Sequence, residues 1–97
     1  MIFRTLLVDD ENLALQRMQR LLKTHATHID LVGTANNGPE AVRQIEALHP
    51  DLVFLDIQMP EFGGFEVLAK LAHKPWVIFC TAYDEYALSA FETQAID

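Results

Sequence analysis

Three acids stand directly after apolar runs: Asp9 and Asp10 close TLLV, with Glu11 behind them, and Asp56 closes LVFL. Working groups of open parallel sheets gather outside the carboxyl ends of the strands, near the point where strand order reverses. If these two runs are neighbouring strands, Asp9, Asp10 and Asp56 converge. Carboxylates forced together repel, and each tends to hold a proton unless a cation neutralises them. A divalent metal removes that cost. Oxygen-only coordination with few protein carboxylates, leaving room for waters and a phosphoryl oxygen, suits Mg²⁺ better than zinc, and no His or Cys stands at ligand spacing to compete. A carboxylate beside a bound cation at an open strand end is also a nucleophile towards phosphorus, with an acyl phosphate as the product. Asp56 is the candidate, because it ends the most buried run, and Asp9 and Asp10 are placed to hold metal from the side. Thr81, after the run WVIFC, offers a hydroxyl to a phosphoryl oxygen. Singly, each residue has a plainer reading: Asp10 or Asn12 caps a helix, Asp56 opens a turn, and Thr81 is structural. Three acids at two adjacent strand ends weigh against it.

The elements that must position these residues are legible as an alternation. Apolar runs at Thr5 to Val8, Leu31 to Ala35, Leu52 to Leu55 and Trp76 to Cys80 are each followed by a polar turn and a helical stripe. TLLV, LVFL and VIFC are apolar almost throughout, as expected of parallel strands covered on both faces, whereas LVGTA is weaker and suits an edge. The first helix is expected from Asn12, with Ala14, Met18, Leu21 and Leu22 on its packed face. Pro39 suits the first turn of the second, whose stripe is Val42, Ile45 and Leu48 and which His49-Pro50 stops. The third begins at Gly64 or Phe65 and carries Phe65, Leu68 and Leu71; a fourth follows Asp84 with Tyr86, Ala87, Ala90 and Phe91. Right-handed crossovers assemble such units into an α/β doubly wound parallel sheet, with strand order 2-1-3-4 expected. The fourth strand is then a bare edge, which favours pairing with another chain.

Composition bounds the rest. The 97 residues, 51% hydrophobic and 22% charged, fit one globular domain. With 14 acidic against 7 basic residues, a formal net charge of -7, and no cluster of Lys and Arg, direct nucleic-acid binding by this domain is disfavoured. Cys80 is the single cysteine and sits in an apolar run, so it forms no internal disulfide and is expected as a small buried hydrophobe in a reducing compartment. No apolar stretch reaches the length of a membrane span, and the N-terminus meets acids too early for a secretory signal. A cytoplasmic location without membrane contact is expected.

LLVDDE, LVFLDIQMP followed by GG, and FCTA together resemble the receiver domain of bacterial two-component response regulators, over the whole length of the chain. The resemblance implies the flavodoxin-like receiver fold, with Asp56 as phosphoacceptor, Asp9 and Asp10 as the acidic pair, and Asp10 as the more direct Mg²⁺ ligand. It also implies the backbone carbonyl of Gln58 as a third protein ligand, Thr81 as the switch hydroxyl, and a sensor histidine kinase as partner. The stretch TAYDEYALSAFETQAID resembles receivers that precede LytTR-type DNA-binding domains, which makes residues 1–97 the input half of a transcription regulator. Receivers of this family continue into a fifth strand, bearing an aromatic switch residue and a Lys that pairs with the phosphoryl group, and a fifth helix. The sequence stops before both, so a receiver truncated at its C-terminus is expected, with Lys70 and Lys74 too far along the third helix and its loop to substitute. Self-association through the fourth helix and the fourth-strand edge is expected from the same resemblance and the open edge.

Two other readings compete. A small Mg²⁺-dependent phosphohydrolase of the haloacid-dehalogenase or Toprim type also places acids at strand ends, but the first needs two aspartates separated by one residue where this chain has DDE, and the second needs such a pair where it has DIQ. A docking or dimerisation module that accepts no phosphate is the other. His25, His28, His49 and His73 fall near helix ends, where solvated or capping roles suit them better than phosphotransfer.

Overall fold

A computed structural model describes residues 1–80. Thr81 and the helix expected after Asp84 lie outside the described residues. The described elements run β1 (Phe3–Val8), α1 (Asn12–Lys23), β2 (Ile29–Ala35), α2 (Gly38–Leu48), β3 (Leu52–Asp56), α3 (Gly64–Lys70) and β4 (Trp76–Cys80). All strand pairs are parallel, in the order β2-β1-β3-β4, as the alternation of apolar runs and helical stripes predicts. The first crossover steps one way along the sheet, and the second and third step the other. Right-handedness therefore puts α1 on one face and α2 and α3 on the opposite one, where these two pack together.

The strand register sorts the core into layers. Leu6, Val53 and Val77 are aligned across β1, β3 and β4, as are Val8, Leu55 and Phe79, and both rows pack with Ala41, Ile45, Val67 and Leu71 from the α2 and α3 side. Side chains alternate faces along a strand, so the intervening row, Leu7, Phe54 and Ile78, belongs to the α1 face. The next row on that face is Asp9, Asp56 and Cys80. Extended pairing thus turns the two aspartates towards α1 from above a layer of apolar side chains.

Local chemistry sets the ends of the helices. Asn37 caps α2, its side chain accepting from Glu40 N–H at 2.8 Å, with Pro39 in the first turn. His49 ends α2 in the left-handed region at φ 49°, a backbone cap as the sequence suggests. At the far end of the sheet Arg4 donates to the carbonyls of Leu48 and His49, at 2.7 and 2.9 Å, while Asp51 and Arg4 exchange hydrogen bonds. Gly63 and Gly64 allow the loop after β3 to fold back on its own strand: a Cβ on Gly63 would lie 2.1 Å from the Ile57 carbonyl oxygen, and one on Gly64 2.7 Å from that of Asp56. Among the described residues no helix is long and apolar enough to cross a membrane.

Two helical stripes differ from expectation. On α1 the buried residue is Leu15, with Ala14, Met18 and Leu22 half-buried, while Leu21 is 59% exposed. Leu15, Met18 and Leu22 lie at i, i+3 and i+7, so the packed face is rotated by part of a turn from the predicted one. On α3, Gly64 and Val67 are buried and Leu68, with Leu71 at the C-cap, packs against the core as expected, whereas Phe65 is 62% exposed, its ring tilted against that of Phe79 with centroids 4.7 Å apart.

Candidate functional site

The carboxyl ends of β1 and β3 open into a cleft of about 570 Å³, lined by Asp9, Asp10 and Glu11, by Asp56, Gln58 and Cys80, and on its α1 wall by Leu13, Ala14, Arg17 and Met18. Asp9 Oδ1 accepts from Glu11 N–H at 2.9 Å, turning the chain out of β1 into α1. Asp56 Oδ1 accepts from Gln58 N–H at 3.2 Å, a contact that begins the β3–α3 loop. Asp56 therefore has the turn-forming role of the plainer reading, whereas α1 starts after its N-cap residue Glu11 with no side-chain cap from Asp10 or Asn12. Asp9 and Asp56 also line the cleft.

One carboxylate oxygen from each of Asp9, Asp10 and Asp56 lies within 4.8 Å of the others. Asp56 is 8% exposed, Asp9 is half-buried and Asp10 is exposed. Burial first, and then the neighbouring Asp9 charge, push the Asp56 carboxyl up to about 7 against the opposing pull of the Gln58 N–H. Burial likewise raises Asp9, with the Glu11 N–H opposing and the charges of Asp10 and Glu11 adding to it. The site is thus short of positive charge. Its donor set fits a hard dication, since three carboxylates converge; the Cys80 thiol nearby is pushed up to about 11 mainly by burial and then by the charges of Asp9 and Asp56.

The raised Asp56 carboxyl has a consequence for stability. Its ordinary value is 3.8 and its folded value is about 7, so between these pH values the unfolded chain releases a proton that the folded chain keeps. Metal-free stability is expected to fall as pH rises from about 4 to about 7 and to level off above that. Urea midpoints at pH 5 and pH 8 in chelator check this: the wild-type midpoint drops, and Asp56→Asn reduces the drop. Equal drops in both chains would remove Asp56 as its source.

The sequence-predicted residues Asp9, Asp10, Asp56 and Gln58 all line one cleft, while Thr81 lies outside the described residues. Leu13, Ala14, Arg17 and Met18 were not singled out for the site. Their signal is helical spacing: i, i+1, i+4 and i+5 from Leu13 form one stripe directly after the acidic turn. Cys80 was expected in the core, but it is half-buried at the cleft floor because it shares the row of Asp9 and Asp56.

The family model for the response regulator receiver domain matches residues 5–97. The chain belongs to the response regulator receiver family. Receiver domains are signalling modules of two-component systems, not enzymes in the ordinary sense; they interact with histidine kinases and phosphatases and generally use Mg²⁺. This receiver is 43% identical over 98 residues to the transcriptional regulatory protein BtsR of Salmonella typhi, covering 99% of the chain and 41% of that protein. The chain thus spans about two fifths of the length of the curated relatives it matches. Among solved structures, the response regulator domain of Thermotoga maritima CheB is 28% identical with a TM-score of 0.80, over 99% of this chain and 74% of that one. A DNA-binding response regulator of the LuxR family from Staphylococcus aureus is 32% identical with a TM-score of 0.73, over 94% of this chain and 80% of that one. The fold of the receiver family agrees with the 2-1-3-4 parallel sheet described above.

Proposed function

We propose that Asp56 accepts a phosphoryl group from the phosphohistidine of a sensor kinase, and that the resulting acyl phosphate switches the activity of an output domain. The observation that carries this is the convergence of three carboxylates within 4.8 Å at the ends of β1 and β3, with Asp56 the most buried of them, in a chain of the receiver family. Asp10, Asp9, Asp56 and the Gln58 carbonyl would hold Mg²⁺, which would neutralise the acids and the charge of the phosphoryl oxygens. Asp56 supplies the attacking oxygen, and its Gln58 N–H contact fixes the orientation of the carboxylate. Asp9 stabilises the turn that presents Asp10. Thr81 donates its hydroxyl to the phosphoryl group and acts as the switch residue. At most the domain catalyses its own phosphorylation and dephosphorylation.

The output is a DNA-binding domain of LytTR type in a cytoplasmic transcription regulator. Support comes from the stretch TAYDEYALSAFETQAID and from the transcriptional regulatory relative, which is longer than this chain. The LuxR-family neighbour marks the competing output type. Self-association uses the segment after Asp84, where a helix is expected from the sequence, and the β4 edge; β3 is the strand paired with β4 among the described residues. Phosphoramidate, whose P–N bond mimics phosphohistidine, tests the acceptor chemistry. The expected product is a phosphoryl group released by hydroxylamine, as an acyl phosphate is. A hydroxylamine-resistant phosphoryl group would place it on a hydroxyl side chain, and kinase binding without any phosphoryl gain would favour a docking module.

A further inference from the structure

The cleft at the strand ends is lined by four acidic side chains, Asp9, Asp10, Glu11 and Asp56, and among the described residues by a single cationic one, Arg17. Arg17 is exposed, and it stands one helical turn after Leu13 on the stripe of α1 that forms the cleft wall. An anionic phosphodonor entering this cleft meets a field of the wrong sign. A dication at the acids offsets that field at the floor, and at the wall the guanidinium is the described group able to attract the donor and to bond two phosphoryl oxygens in a fork. The volume of about 570 Å³ lies within the range of about 300 to 1,000 Å³ common for small-molecule sites.

We propose that Arg17 is the recognition residue for small anionic acyl phosphates, holding the donor's phosphoryl oxygens while Asp56 attacks; this rests on the reading of Asp56 as phosphoacceptor. In the step itself an Asp56 carboxylate oxygen forms a bond to phosphorus, and the bond from phosphorus to the acyl oxygen breaks. The carboxylate of the donor leaves with that electron pair, and Arg17 neither gains nor loses a proton. Arg17 is a binding and positioning residue in this scheme. Its exposure on the helix surface means that its replacement leaves the packed face of α1 intact.

The test is the initial rate of phosphoryl gain from acetyl phosphate at saturating Mg²⁺, in the wild-type chain and in Arg17→Ala, Arg17→Lys and Arg17→Glu. The donor concentration for half-maximal rate is expected to rise about tenfold in Arg17→Ala, to return part of the way in Arg17→Lys, which keeps the charge but not the fork, and to rise further in Arg17→Glu. The limiting rate should fall as well in Arg17→Ala, because the same oxygens are held during the attack, while the Mg²⁺ affinity measured by calorimetry should not fall and the salt dependence of the rate should weaken. An Arg17→Ala chain with wild-type donor dependence overturns the proposal, as does an Arg17→Lys chain no better than Arg17→Ala. If even the wild-type chain gains no phosphoryl group, the acceptor reading fails separately, and binding of inorganic phosphate to the Mg²⁺-loaded chains decides the role of Arg17. Tighter phosphate binding by wild type than by Arg17→Ala upholds it; equal binding overturns it.

Discussion

Leu55→Ala is expected to destabilise the domain by about 2–5 kcal/mol, the range for removing a large aliphatic side chain from a packed core. Leu55 is fully buried, aligned between Val8 and Phe79, and its Cγ lies 3.2 Å from where a Cβ on Gly64 would stand. The row it occupies is the last apolar layer on the α2 and α3 side before the sheet ends. Close packing there leaves little freedom for neighbours to collapse into the space. A domain of this size is stabilised by only about 5–15 kcal/mol in total, so the variant should unfold at a much lower urea concentration. Because Leu55 precedes Asp56 on the strand, loosening it also loosens the floor of the acidic cleft, and Mg²⁺ affinity should fall with stability. A loss below about 1 kcal/mol in urea titration would contradict the layered core.

The second large effect concerns Asp10. It is the most exposed of the three acids, and its charge raises the carboxyls of both Asp9 and Asp56. Asp10→Asn removes a repulsive charge from the metal-free cleft and a ligand from the metal-bound one, so the two states should respond in opposite directions. Metal-free stability is expected to rise. Mg²⁺ at 100 times its wild-type Kd is expected to stabilise the wild-type chain by about 2.7 kcal/mol and to do little for the variant. Phosphoryl gain at Asp56 should fall by about 100-fold or more, as second-shell changes alone cost about 10- to 100-fold at metal sites. Parallel thermal melts with Mg²⁺ and with chelator check the stability claims. Equal Mg²⁺ stabilisation of both chains would remove Asp10 from the ligand set.

Much of this site was legible in the sequence because a parallel strand writes both its burial and its exit. LLVDD and LVFLD each show an apolar run broken by acid, and right-handed connection makes those exits neighbours. The phase of the helices was less legible. α1 carries Leu13, Ala14, Leu15, Met18, Leu21 and Leu22, apolar residues spread over more than one face, and the angle at which the helix crosses the sheet decides that Leu15 is buried and Leu21 is not. On α3, Phe65 and Val67 compete for the core, and the close return of Gly63 and Gly64 to β3 leaves room for the smaller side chain. The same uncertainty in phase concealed Arg17 and the rest of the α1 wall of the cleft. Cys80 was concealed differently: its apolar run signals burial, but its alignment with Asp56 becomes visible only once β3 and β4 are paired.

If Asp56 is the acceptor and the acidic cleft needs a dication to work, phosphoryl gain must depend on both. Intact mass of the chain and of Asp56→Asn, after acetyl phosphate with and without Mg²⁺, tests it most directly. A single phosphoryl gain is expected in the wild-type chain with Mg²⁺ and none in the other three samples. A gain that survives Asp56→Asn, or one that appears equally without Mg²⁺, would contradict it.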